Sequence, residues 1–326
     1  MRPLPAFFGP TAAVPGISGK WIGRLAAIGG MVLGVVRPAT AQASYTGQLG
    51  GARVEMLLEQ IILPRGIGVY LYSKVGTPIV LNSNIRHGAL VLTEYTADRP
   101  ITQQTLFKTK YKPTATFTIP AFSFSTPVLH GTWRSLTTKR QLPLTLTLTT
   151  GPDDAGTAAA PPTALQMDAA PDYYFKTLLT GKSNDPATRV KAVQVIEKKT
   201  NRIIQQFPVN CRAIGSHNVS VDDYNFDGLL DFSIYEDDAE TPDLASFGYN
   251  NSTSQYFLYD PAAKQFIASG FQGIGLTFDA KKKRVYKYTP TNTYGVVTEA
   301  EYRVVNNHLV LIGKRTFERY PHLKDL

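Results

Sequence analysis

Residues 141–149 read QLPLTLTLT. Leu142, Leu144, Leu146 and Leu148 alternate with Pro143, Thr145, Thr147 and Thr149. Successive side chains of an extended chain point to opposite faces, so the stretch is a strand with one apolar and one wet face. The same period of two recurs at Val54, Met56 and Leu58. Further strands are predicted at residues 68–73, 79–81, 89–95, 114–119 and 129–135, with Gly50-Gly51, Gly66, Gly76-Thr77-Pro78 and Gly88 supplying turns. Such a succession is expected to meander antiparallel and curl into a barrel or sandwich.

The chain has 326 residues, 43% hydrophobic and 18% charged, which is enough for two cores of ordinary size. Its 22 prolines and 26 glycines, with many Thr, Tyr and Phe residues and no heptad pattern, favour sheet over helix. The expected fold is all-β, with two antiparallel β domains. Residues 44–150 form the N-terminal barrel or sandwich. Residues 151–163, GPDDAGTAAAPPT, are small, polar and aperiodic and read as a linker. Residues 164–326 form a C-terminal sandwich or small propeller-like domain. There, strands at 190–197 and 203–207 flank a turn, as do 256–259 and 266–268, and 301–305 and 308–312 flank Asn306-Asn307. One short helix is expected near residues 171–181.

Residues 1–43 read as a cleavable secretory signal. Lys20 and Arg24 precede an apolar run from Leu25 to Val36, and small residues around Ala39, Ala41 and Ala43 place cleavage after Ala41 or Ala43. The run is too short to span a bilayer, and no other stretch reaches spanning length. A periplasmic or secreted location is expected. Removing Arg2, Lys20, Arg24 and Arg37 lowers the net charge from +9 to +5. The one basic run, Lys281 to Arg284, lies between two strand-like segments and reads as a solvated turn. No basic stripe interleaved with aromatics points to nucleic acid. The single cysteine, Cys211, can form no intramolecular disulfide.

Residues 219–231, VSVDDYNFDGLLD, concentrate costly residues at fixed spacing. Asp223, Asn225, Asp227, Gly228 and Asp231 give D-x-N-x-D-G-x-x-D, the first nine positions of a calcium loop, with the Leu229 carbonyl as the seventh-position ligand. Alternate positions aim several hard oxygens inward, and the glycine permits the sharp turn. Repulsion among the acids would be relieved by Ca²⁺, the expected cofactor. Ile234 stands where an EF-hand carries its twelfth-position Glu, and the flanks VSV and FSIY look like strands. The site is therefore a calcium loop on a β scaffold, with the missing ligand expected from Asp222 or from an acid among Glu236, Asp237 and Asp238.

Catalytic constellations are lacking. His87, His130, His217, His308 and His322 show no zinc spacing. Ser216-His217 invites a nucleophile reading, yet neighbours on a strand face opposite ways and no G-x-S-x-G is present, so a turn or capping role is expected. No pair among the 25 acids is singled out for glycoside hydrolysis. Residues 236–254, EDDAETPDLASFGYNNSTS, form a long polar excursion whose Ser246, Tyr249, Asn250, Asn251 and Ser252 could meet a partner. No Lys or Arg occurs from Ala213 to Ala263, so this region would steer a basic partner.

Four segments together carry a family resemblance: V-x-V-I-E-x-x-T (Val193–Thr200), VDDYNFDGLLD (Val221–Asp231), YFLYDPAAKQF (Tyr256–Phe266) and the closing Glu301-Tyr302 strand. From about residue 170 to 318 the chain resembles bacterial periplasmic immunity proteins that inhibit lysozyme-like effectors delivered by type IV secretion systems. The resemblance implies an all-β, calcium-binding protein, akin in structure to invertebrate-type lysozyme inhibitors, that inserts a loop into the cleft of a peptidoglycan hydrolase. The N-terminal half resembles, more loosely, small β-domains of secreted bacterial proteins. The alternative is a non-catalytic calcium-bearing β module that binds glycans or the cell surface through tyrosine platforms.

Overall fold

The computed structural model describes residues 42–62, 65–96, 112–157, 160–238, 252–291 and 296–318, and among them there is no α-helix. The first eight strands are β1 (Gln42–Leu49), β2 (Ala52–Ile62), β3 (Arg65–Tyr72), β4 (Ile79–Arg86), β5 (Ala89–Thr96), β6 (Lys112–Ile119), β7 (Val128–Ser135) and β8 (Gln141–Thr150). Each pairs antiparallel with the next, and β8 returns to β1 to close a barrel. The choice between barrel and sandwich is thus settled by the seam, where Tyr45 pairs with Leu148, Gly47 with Leu146 and Leu49 with Leu144. A Cβ on Gly47 would lie 1.9 Å from the Thr145 carbonyl oxygen, so the seam closes at this register only because that residue is glycine. Leu144 and Leu146 point into the barrel while Thr145 and Thr147 stay exposed, as the alternation of 141–149 requires. Tyr45, Met56, Tyr70 and Phe117 fill the interior. The carboxylate of Glu94 accepts bonds there from Tyr70 Oη (2.7 Å) and Trp133 Nε1 (3.3 Å).

Gln42 and Ala43 belong to β1, paired with Glu59 and Leu58 and both buried. The barrel therefore begins two residues before the expected boundary at 44. A cut after Ala41 leaves β1 whole, whereas a cut after Ala43 removes two paired residues. Residues 151–157 and 160–162 carry no strand, yet they are held down: Asn184 Nδ2 donates to Asp153 Oδ1 at 2.7 Å and the Leu179 amide to the Pro162 carbonyl at 2.9 Å.

Twelve further strands make three four-stranded antiparallel meanders in chain order. The first sheet holds β9 (Thr163–Ala169), β10 (Tyr173–Leu179), β11 (Arg189–Glu197) and β12 (Arg202–Arg212). The second holds β13 (Val219–Asp222), β14 (Asp231–Asp238), β15 (Ser252–Asp260) and β16 (Gln265–Ala268). The third holds β17 (Thr277–Asp279), β18 (Arg284–Pro290), β19 (Val296–Val305) and β20 (His308–Glu318). Asn306 and Asn307, both at positive φ (50° and 60°), make the expected two-residue turn between β19 and β20. The basic run likewise lies in the β17–β18 turn and the start of β18.

The sheets stack by alternation. On β10, Tyr174 packs with Leu57, Ile67 and Val69 of the barrel wall, while its neighbour Phe175 packs with Phe232 and Phe257 of the second sheet. On β15, Phe257 faces back to the first sheet, while Tyr256 and Leu258 join Phe271 and Val285 toward the third. The helix expected near 171–181 is strand β10. Being covered on both faces it has no wet face to reveal its period, and apolar periodicity alone cannot separate such a strand from a buried helix.

Candidate functional site: the 223–230 turn

The calcium-loop sequence is the hairpin connection between β13 and β14, clamped at its base by the pair Asp222 and Asp231. Gly228 takes φ 92°, which only glycine adopts freely. Tyr224 and Phe226 turn their rings down into the core beside Phe278, which leaves the alternate residues 223, 225 and 227 on the outer side of the turn. Ile234 is buried against the core and pairs with Val219, so the twelfth position offers no oxygen side chain.

Asp223 accepts the amides of Asp227 (3.0 Å, Oδ1) and Gly228 (2.9 Å, Oδ2). Asn225 Oδ1 accepts the Asp227 amide (3.1 Å), and Asp227 Oδ1 accepts that of Leu229 (2.8 Å). Asp231 accepts the amides of Tyr224 and Tyr259, at 2.9 and 2.8 Å, and so ties the turn to β15. Burial pushes the Asp231 carboxyl up to about 7; the two amides oppose that rise, and Asp227 and Asp223 add to it. Asn225 Nδ2 donates to Asn307 Oδ1 (3.1 Å) and Lys283 Nζ to the Phe226 carbonyl (3.2 Å), so the turn is docked on both hairpin tips of the third sheet.

The donor set fits Ca²⁺ in kind, since each of these oxygens keeps a second lone pair beside its amide. In the arrangement described the carboxylates are turned onto amides, and no three His, Cys, Asp or Glu side chains among the described residues group around a metal position. The acids at 236–238 cannot complete the set. β14 is extended, so Glu236 lies about 17 Å along the strand from Asp231. Glu236 instead accepts Gln255 Nε2 (3.2 Å), and Asp237 pairs with Arg189 Nη1 (2.9 Å). Asp222, whose Oδ1 accepts the Asp223 amide at 2.9 Å, stays beside the turn.

Of the residues expected to meet a partner, Ser246, Tyr249, Asn250 and Asn251 lie outside the described residues. Ser252 is not in a loop: it opens β15 opposite Asp238, and its carbonyl accepts the Gly275 amide at 2.8 Å. The excursion is thereby shortened at both ends, because residues 236–238 and 252–254 are strand. The basic-free span from 213 to 263 is also less bare than it reads, since Arg189 and Lys283 reach into it from neighbouring strands.

Ser216 and His217 sit on a 3-10 turn, Gly215–His217, not on a strand, and their side chains meet: Ser216 Oγ is 2.9 Å from His217 Nδ1. Ser216 also donates its hydroxyl (2.7 Å) and amide (2.7 Å) to Glu59 on β2, so the pair forms a buried junction between barrel and sheets. Burial raises the Glu59 carboxyl to about 7, against those two bonds, and lowers the His217 imidazole to about 4. A Cβ on Gly215 would fall 1.8 Å from Glu59 Oε1, so the turn must carry glycine to approach that carboxyl. Asp168 on β9 was equally unforeseen: Oδ2 accepts the Val221 amide (3.2 Å), while buried Oδ1 has no hydrogen-bond partner. Among the described residues no helix is long and apolar enough to cross a membrane. The chain matches no protein-family profile and no curated protein.

Proposed function

We propose that the protein is an exported, calcium-stabilised inhibitor of the immunity type, which occludes the cleft of a lysozyme-like peptidoglycan hydrolase without chemistry of its own. The observation that carries this reading is that Asp223, Asn225, Asp227 and Asp231 build one amide-bonded turn, of calcium-loop sequence, docked on the tips of β17–β18 and β19–β20. Bound calcium would supply neutralising charge among the three carboxylates. The chain's own residues do the rest. Asp231 fixes β14 to β15 through the Tyr259 amide, and these two strands flank residues 239–251, the segment proposed to meet the enzyme. The resemblance of residues 170–318 to periplasmic immunity proteins supports the same reading. A panel of muramidases and amidases assayed with the protein, with and without chelator, tests it. Inhibition that weakens with chelator is expected, together with a calcium-dependent rise in melting temperature that Asp223→Ala abolishes. Inhibition of no hydrolase would sink the proposal. The tyrosine-platform form of the glycan-binding alternative is weakened by packing, since Tyr45, Tyr70, Tyr174, Tyr224 and Tyr256 are all in the core.

A further inference from the structure

One face of the third sheet is covered for only part of its length. Val285, Tyr302 and Leu309 pack toward Tyr256 and Phe271 of the second sheet. Further along the same face no described residue covers the sheet, and a groove of about 340 Å³ is lined by Lys287, Thr289, Thr298, Ala300, Tyr302 and Lys314, among others. The strand register orders these residues. Lys287, Ala300 and Lys314 form one row across β18, β19 and β20, and Thr289, Thr298 and Thr316 form the next. The rows lie roughly 6.6 Å apart along the strands, and the two lysines stand about 10 Å apart across them. Ala300 between them is too small to fill the gap, so the lysines flank a notch. A Cβ on Gly273 would meet Lys287 Cδ at 3.1 Å, so the glycine leaves room for the lysine stem that borders the groove. Thr298 and Thr316 hydrogen-bond through their hydroxyls at 2.9 Å.

Among the described residues neither Lys287 nor Lys314 has an acidic partner. The acid that shares this face in the register, Glu318, lies a row beyond Thr316. Two uncompensated cations across a notch, a row of hydroxyls that both donate and accept, and Tyr302 beside them match a ligand that is anionic, hydroxylated and ring-shaped. We infer that the open face of the third sheet is a binding groove for an acidic saccharide, a sugar chain bearing carboxylates, with Lys287 and Lys314 holding a carboxylate over Ala300 and the threonine row engaging ring hydroxyls. This gives the glycan-binding alternative a ligand class and does not rest on the inhibitor reading, so the failure of either leaves the other standing.

Calorimetric titration of the full-length protein with a galacturonate tetramer tests it, with chitotetraose as the neutral sugar and polyglutamate as the anion without sugar. The galacturonate is expected to bind at least tenfold more tightly than either control and to weaken with salt. Lys287→Ala/Lys314→Ala should cost tenfold or more with the melting temperature unchanged, since Lys314 is exposed and Lys287 only half-buried. Thr298→Val should cost a few-fold. No binding by the wild type, equal binding by the double-lysine variant, or polyglutamate binding that matches galacturonate and ignores Thr298→Val would each overturn the assignment.

Discussion

The barrel and the three sheets bury their apolar residues in different ways. The barrel is its own partner. Its eight strands close through β1 and β8, and Tyr45, Met56, Tyr70 and Phe117 fill an interior that needs nothing from outside. Each sheet, by contrast, is half of someone else's core: Phe175 on one sheet finds Phe232 on the next, and Tyr256 on that one finds Phe278 on the third. The difference also appears in polar groups. The interior acid of the barrel, Glu94, is met within the barrel by Tyr70 and Trp133, whereas Glu59 and Asp168 at the boundaries between layers depend on Ser216 of the 3-10 turn and Val221 of β13.

The largest effect should separate the two halves outright. Phe232 is fully buried, stacked on Phe257 at 4.6 Å and edge-on to Phe266 at 5.0 Å. Phe232→Ala is expected to cost about 3–5 kcal/mol, as for other buried aromatics truncated in a core. In a chain starting at Gln42, Trp133 of the barrel is the sole tryptophan. Its fluorescence should then report a folded barrel at denaturant concentrations where circular dichroism already shows the sheets lost. Coincident transitions would mean that barrel and sheets unfold as one unit, and the contrast would fail.

The junction comes next. A carboxyl raised from 4.5 to about 7 by burial stabilises the fold fully below its unfolded value, and that contribution is lost as pH rises toward 7. Relative to Glu59→Gln, the wild type is therefore expected to lose roughly 3 kcal/mol between pH 4.5 and 7. His217 has the opposite sign, because an imidazole held down to about 4 loses stability as pH falls from 6.5. Glu59→Gln should accordingly show a stability that falls less steeply with pH from 4 to 6.5 than that of the wild type, since Asp168 and Asp231 keep their raised carboxyls in both, and denaturant melts across that range would show it; a parallel profile for both proteins would refute the buried carboxyl. Smaller still, Asp168→Asn removes a carboxyl that burial raises to about 7 and is expected to stabilise by about 1–3 kcal/mol at pH 8, with the gain shrinking as pH falls toward 4. A destabilised variant at pH 8 would show that Oδ1 has a use. Least of all, the Lys176–Glu55 ion pair across the boundary (2.7 Å) should contribute no more than about 1 kcal/mol in a double-mutant cycle. A larger coupling would argue that charge, not packing, joins the halves.

Sequence patterns were legible where one face of a strand is wet. β8 read directly from its alternation, and the Asn306-Asn307 turn from its residue types. They failed where both faces are covered. β10 passed for a helix, and Leu57 on β2 is as buried as Met56 because the barrel wall is also an interface. The turn at 223–230 was visible because its oxygens are neighbours in the chain. The Glu59–Ser216 junction was not, since its partners lie 157 residues apart and an acid in an apolar strand does not say which distant turn will meet it.

The layered stacking implies an order of assembly. Every sheet is contiguous in the chain, and the longest strand pairing, β1 with β8, is complete once Thr150 has emerged. A chain growing from its N-terminus can therefore close its barrel first. It then presents the greasy wall of Leu57, Ile67 and Val69 as the template on which β9 to β11 settle, and each finished layer prepares the surface for the next. Chains cut short after the barrel, the first sheet or the second would end on an uncovered apolar face.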